Sequence, residues 1–207
     1  MYKTLFQSIA FVCAFLVFAN SARATDEKSI KRFRDAMVAL APDVDPAEAE
    51  AISVISHNTS RRLAREWGVV GPSVFQNFLI HVGARQKGFC FQYARGIGER
   101  LKELNLKTIV LHWGASGPGT VGEHNVVVVS ARGQPFREGY IIDGWRNAGR
   151  LCWWPVSKDS SYVWREDPRE TAWLQDYGLA QPKPARTATT QRPVSSGQKS
   201  QHATAQR

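Results

Sequence analysis

Apolar residues recur at three- and four-residue steps through the first half of the chain. Ile30, Phe33, Met37 and Leu40 mark a helix over residues 25–40, which Pro42 ends. Asp45-Pro46-Ala47-Glu48 then opens a second helix. Asp45 suits the N-cap, Pro46 the first helical position, and Glu48 can complete a capping box. Ile52, Ile55 and Leu63 carry that helix to about Trp67, and Gly68 is its natural stop. Pro72 opens a third helix with Phe75, Phe78, Leu79 and Val82 on one face. A fourth follows Gly88, with Phe91, Ala94, Ile97 and Leu101 in phase.

The period then shortens. Thr108 to Trp113 is a short strand-like run, and Gly114 to Gly122 is a loop carrying four glycines and Pro118. His124 to Ser130, with four consecutive valines, is the strongest strand signal in the chain. Arg132-Gly133-Gln134-Pro135 is a turn, Tyr140 to Asp143 another strand, and Arg150 to Val156 one more. Helices first and strands second predict an α+β fold, with N-terminal helices packed on an antiparallel sheet.

The two ends differ from this core. Lys3, the apolar run Leu5 to Phe18 and Ala22-Arg23-Ala24 have the layout of a cleaved secretory leader over residues 1–24, which implies a periplasmic or secreted protein. The run is shorter than the roughly 20 residues of a spanning helix, so cleavage is favoured over an anchor, and over lipid attachment at Cys13. From Gln181 the chain turns to Pro, Thr, Ser, Gln and basic residues, which cannot bury enough apolar surface to offset chain entropy. Residues 181–207 are therefore read as a disordered basic tail, able at most to make weak contact with anionic surfaces. Two positive charges of the leader and five of the tail account for most of the net +9, leaving +2 for residues 25–180. A nearly neutral folded part gives no footprint for nucleic acid.

The chemistry gathers around Gly88-Phe89-Cys90-Phe91-Gln92-Tyr93-Ala94. A cysteine that follows a glycine turn and opens an amphipathic helix meets free amides and the positive end of the helix dipole. The same amides can donate to an oxyanion beside the sulfur. A proton acceptor is still required, and His124, heading the valine strand, is the candidate base. Asp143 closes the next strand. Antiparallel pairing across the short connection Ala131 to Gly139 would bring it to His124 to hold the imidazole tautomer.

That ordered set resembles the transglutaminase-like cysteine peptidase superfamily, which is similar in topology to papain. It consists of the Cys90 segment, a histidine heading a strand 34 residues later, and an aspartate ending the next strand after a further 19. The likeness covers roughly residues 75–156. It implies a Cys90–His124–Asp143 triad, acyl transfer on amide or peptide substrates as a hydrolase or a transglutaminase, and no cofactor. Where many members carry an aromatic residue two positions after the histidine this chain has Val126. Where many carry proline after the aspartate it has Gly144.

Other residues are weaker candidates. Gln86, four residues before the cysteine, is an oxyanion donor candidate by analogy with the upstream glutamine of papain-like enzymes, at a different spacing. His112, Trp113 and Trp145 are candidates for lining the substrate cleft. No histidine or carboxylate pair has metal-ligand spacing, so no metal is expected. The expected partner is a peptide, protein or cell-wall substrate. The competing reading is a non-catalytic binding or scaffold module on the same fold, with Cys90 structural and bridged to Cys152.

Overall fold

The computed structural model describes residues 26–176; the expected leader and basic tail lie outside them. Five helices and five strands follow in order: α1 (residues 26–38), α2 (Pro46–Glu66), α3 (Ser73–His81), α4 (Cys90–Lys102), β1 (Ile109–Ser116), β2 (His124–Ala131), β3 (Tyr140–Asp143), β4 (Cys152–Pro155), β5 (Arg165–Glu166) and α5 (Pro168–Gln175). The strands form one antiparallel sheet in the order β4-β3-β2-β1-β5. The α+β class expected from the change of period is the class observed.

The two faces of β2 explain its valines. Val127 and Val129 join Ile142, Leu111 and Trp113 beneath the helices, against Ala94, Ile97 and Leu101 of α4, Phe33 and Met37 of α1, Ile52 of α2 and Leu174 of α5. Val126 and Val128 point the other way, into a smaller core with Phe136, Ile141, Val156 and Trp164. A strand covered on both faces is apolar without alternation. Fully burying side chains such as Ile97 and Leu101 contributes about 2 kcal/mol each.

α2 begins where Asp45-Pro46 predicts, and the Asp45 side chain accepts from the Ala47 amide at 2.8 Å. Glu48 does not complete a capping box. Its carboxylate instead accepts from the Lys107 and Thr108 amides at 2.6 and 2.9 Å, and from the Thr108 hydroxyl at 2.7 Å, which pins the start of β1 to the first turn of α2.

The third helix also departs from expectation. Its aromatic face is not core: Phe75, Phe78 and Val82 are exposed, while Ser73 and Gln76 are buried. Phe91 of α4 is exposed as well, although Ala94, Ile97 and Leu101 of the same stripe are buried. Strand β1 runs three residues further than its apolar run, into Gly114-Ala115-Ser116, because the full length of β2 is there to pair with it, down to Ser116 opposite His124. Among the described residues no helix is long and apolar enough to cross a membrane.

Candidate active site

Three element ends converge at one end of the sheet. Cys90 is the first residue of α4, His124 the first of β2 and Asp143 the last of β3. The β2–β3 register pairs Val127 with Ile142 and Val128 with Ile141, so His124 and Asp143 stand on the face shared by Val126 and Ile141.

The turn before Cys90 is tightly built. Gly88 has φ +131°, and a Cβ there would meet the Gln76 side chain at 2.8 Å. Beneath it, Gln76 donates to the Lys87 carbonyl at 2.8 Å and accepts from the Val70 amide at 3.2 Å. Gln92 Oε1 accepts from the Gly88 and Phe89 amides at 2.8 and 3.1 Å. The Cys90 and Phe91 amides open the helix and have no acceptor within it. They remain available to a developing negative charge beside the sulfur. Cys90 Sγ lies 3.6 Å from the Glu123 carbonyl, immediately before His124.

His124 is 2% exposed, and its Nε2 is 2.8 Å from Asp143 Oδ2. Its Nδ1 is buried and has no partner at ordinary hydrogen-bond geometry. The Cys90 sulfur nevertheless lies close enough to bear on the ring's protonation. Because Asp143 occupies Nε2, that approach is to Nδ1. Three rings wall the imidazole: Tyr162 at 4.6 Å, Trp145 at 4.9 Å and Trp164 at 5.5 Å between centroids.

Asp143 is buried and receives four donors. Oδ1 accepts from the Trp145 and Arg146 amides at 2.8 and 3.0 Å; Oδ2 accepts from His124 and from Arg146 Nε at 3.1 Å. Burial alone would raise its pKa, but His124 and Arg146 outweigh that and hold it below the ordinary carboxylate value. Gly144 follows where the chain passes between α2 and α4. A Cβ there would sit 2.7 Å from both Ser60 Oγ and a Tyr93 ring carbon, so no larger residue fits.

Burial acts against the imidazolium of His124. The Asp143 carboxylate and the Cys90 sulfur prevail, and its pKa is raised from 6.5 to about 9. A folded-state value above the unfolded one stabilises the protein in full below about pH 6.5, and that contribution is lost as pH rises through about 9. The difference corresponds to about 3 kcal/mol. The denaturation midpoint of the wild type should therefore fall relative to that of His124→Gln between pH 6.5 and 9.5. A constant difference over that range would contradict this electrostatic account.

The remaining sequence candidates are placed differently. Trp145 belongs to the site: its ring flanks His124, its indole N–H donates to Asn77 Oδ1 at 3.2 Å, and its carbonyl accepts from the Ser73 hydroxyl. Trp113 is a core residue, its indole donating to Asn125 Oδ1 at 2.8 Å and its ring lying edge-on to Trp173. His112 stands in mid-strand opposite Val128, bonded through Nδ1 to Glu166 Oε1 at 2.7 Å and through Nε2 to Ser130 Oγ at 2.9 Å. In this Ser130–His112–Glu166 chain Ser130 has no exposed surface, His112 is buried and Glu166 reaches solvent. It ties β2, β1 and β5 together. Gln86 is exposed on the bend before Gly88 and makes no hydrogen bond among the described residues. Cys90 and Cys152 both carry free thiols; Cys152 sits on β4 opposite Asp143.

Sequence reasoning passed over Arg146, Asp159, Tyr162, Trp164, Gln76 and Gln92. Of these only Gln92 had a local signal, three residues past a helix N-cap where glutamine closes a capping box. Compared with known proteins, the chain matches no family model, no curated protein and no solved structure.

Proposed function

We propose that this protein is a cysteine-dependent acyl-transfer enzyme acting on amide or peptide bonds, as a hydrolase or a transglutaminase, with a transglutaminase-like core. The observation that carries the reading is the divided imidazole of His124. Nε2 is held by a buried carboxylate, while Nδ1 is left free on the side of a thiol at a helix N-terminus. A histidine serving only the core would have both nitrogens satisfied, as His57 and His112 do.

The chemistry follows from these positions. With a pKa of about 9, His124 is protonated at neutral pH, and an adjacent imidazolium stabilises the thiolate form of Cys90. The sulfur attacks the substrate carbonyl and forms a C–S bond. The oxyanion that develops is met by the Cys90 amide at the opening of α4. As the tetrahedral species collapses, the C–N bond breaks, and the Nδ1 proton of His124 passes to the departing amine. Water, or a second amine, then attacks the thioester and gives its proton back to Nδ1. The C–S bond breaks and the thiolate–imidazolium pair is restored. Asp143 stays ionised throughout and fixes the tautomer.

A leader over residues 1–24 would place the enzyme outside the cytoplasm, where peptides, proteins or cell-wall material are the substrates at hand. The free thiols at Cys90 and Cys152 support catalysis over the structural bridge.

Iodoacetate tests the pairing without knowledge of the substrate, because an imidazolium beside the sulfur attracts its carboxylate. Peptide mapping should find Cys90 carboxymethylated ahead of Cys152, at a rate that declines as pH passes about 9. Preferential labelling of Cys152, or a Cys90 rate that climbs steadily through pH 10, would overturn the assignment.

A further inference from the structure

We propose that Arg146 is a positioning residue for the triad: its guanidinium clamps Asp143 to Asp159, and so aims the carboxylate at His124 and holds the Tyr162–Trp164 segment against the imidazole. The inference rests on the triad reading above.

Arg146 stands three residues past Asp143, beyond the end of β3, in the turn that carries Trp145. Its Nε donates to Asp143 Oδ2 at 3.1 Å, the oxygen that also receives His124 Nε2. Its Nη2 donates to Asp159 Oδ2 at 2.7 Å. Asp159 is buried in turn, and accepts from Trp164 Nε1 at 3.0 Å and from the Ser161 amide at 3.1 Å. The guanidinium also lies over the Tyr162 ring, 4.9 Å from its centroid, and the other neighbour of that ring is His124. Two of the three aromatic walls of the imidazole are thus fixed through Asp159, and Asp159 is fixed through Arg146.

The chemistry of arginine suits this role. A planar guanidinium presents donors in fixed directions and stays charged at any relevant pH. A lysine has a single ammonium and cannot hold two carboxylates in the same plane. Two buried carboxylates without a cation between them would repel, and Asp143 would turn or take up a proton. The clamp keeps Asp143 an acceptor and leaves Oδ2 partly committed, which limits how strongly it binds the imidazolium.

The groups bearing on His124 are Cys90 from α4, Asp143 from β3, and Tyr162 from the segment that also holds Asp159. Arg146, Tyr93 and Cys152 act at one remove, through Asp143. Among these, Arg146 is the cation that contacts Asp143 directly. Its removal therefore has a signature that loss of packing does not share.

The test uses the full chain and follows the His124 Cε1–H signal by NMR through a pH titration, assigned with His124→Gln, together with iodoacetate labelling of Cys90. In the folded Arg146→Gln protein the His124 pKa should move above its wild-type value of about 9, because Asp143 is left more basic. Cys90 labelling at neutral pH should fall at least about tenfold. Arg146→Lys should bring the pKa back toward wild type without restoring the labelling rate, separating charge from clamp geometry. Asp159→Asn, which keeps the Asp143 contact, should reduce labelling while leaving the pKa within a few tenths of a unit.

An Arg146→Gln protein that titrates and labels as the wild type does would overturn the clamp. So would one whose His124 pKa drops toward 6.5, since that marks general loosening. If instead wild-type Cys90 fails to react ahead of Cys152, the triad reading itself has failed, whatever Arg146 does.

Discussion

Replacing Cys90 with alanine is expected to abolish reaction with thiol-directed acyl probes, and to lower turnover of any amide substrate by at least about four orders of magnitude, while leaving the fold almost undisturbed. The expected loss is that large because on the proposed reading the sulfur forms the new bond, and a triad without its nucleophile retains only what binding and the oxyanion amides supply. The stability effect is small for a separate reason. Cys90 caps no helix and bridges no second cysteine, and beside its approach to His124 its sulfur makes one long contact to the Glu123 carbonyl. Losing a single buried thiol of this kind costs about 1 kcal/mol. Thermal unfolding and probe labelling measured on one preparation separate the two effects. A loss of several kcal/mol with retained turnover would favour a structural cysteine.

Asp143→Asn is expected to have the second largest effect, and to act on both rate and stability. The carboxylate accepts from four donors. If the new side-chain oxygen keeps the two backbone amides, its NH₂ faces His124 Nε2 and Arg146 Nε. The imidazole must then carry its proton on Nδ1, the nitrogen that would have to accept one from the thiol. A wrong tautomer of this kind costs about 10⁴-fold in turnover in a serine triad. Leaving Arg146 and Asp159 partly unpaired costs about 3 kcal/mol more. With Asp143 neutral, burial lowers the His124 pKa and the Cys90 sulfur alone opposes it. Carboxymethylation kinetics and a His124 titration read both effects. An Asn variant that labels at the wild-type rate would remove Asp143 from the mechanism.

Much of this was legible along the chain because local chemistry and tertiary role agreed. Asp45-Pro46 marked the start of α2, Gly88 the turn before α4, and Tyr140–Asp143 the whole of β3. The convergence of Cys90, His124 and Asp143 could be anticipated because each stands at the end of an element, where sequence signals are strongest. What escaped depended on partners far away in sequence. Glu48 looked like a local cap but serves the Lys107–Thr108 amides some 60 residues on. The apolar stripe of α3 had the right period for a core face, yet periodicity does not say which helix face meets the protein, and here it meets solvent.

β5 has only two residues, both exposed, and no pattern can reveal it. α5 was detectable, since Asp167-Pro168-Arg169-Glu170 repeats the Asp-Pro-x-Glu opening of α2, with Asp167 accepting from the Arg169 and Glu170 amides. Arg146 and Asp159 carry no signature at all. A buried ion pair is visible only once the fold has closed around it.

The meeting of β2, β3 and α4 at one sheet end also makes the cluster depend on two separate tertiary contacts. His124 and Asp143 belong to neighbouring strands joined by residues 132–139, so they come together whenever that hairpin forms. The sulfur comes from a different layer and arrives only when α4 docks across the sheet. The imidazole–carboxylate pair and the thiol therefore form one cluster only where hairpin and helix are both in place. If the proposed chemistry holds, reactivity at one thiol therefore registers completion of the whole tertiary structure.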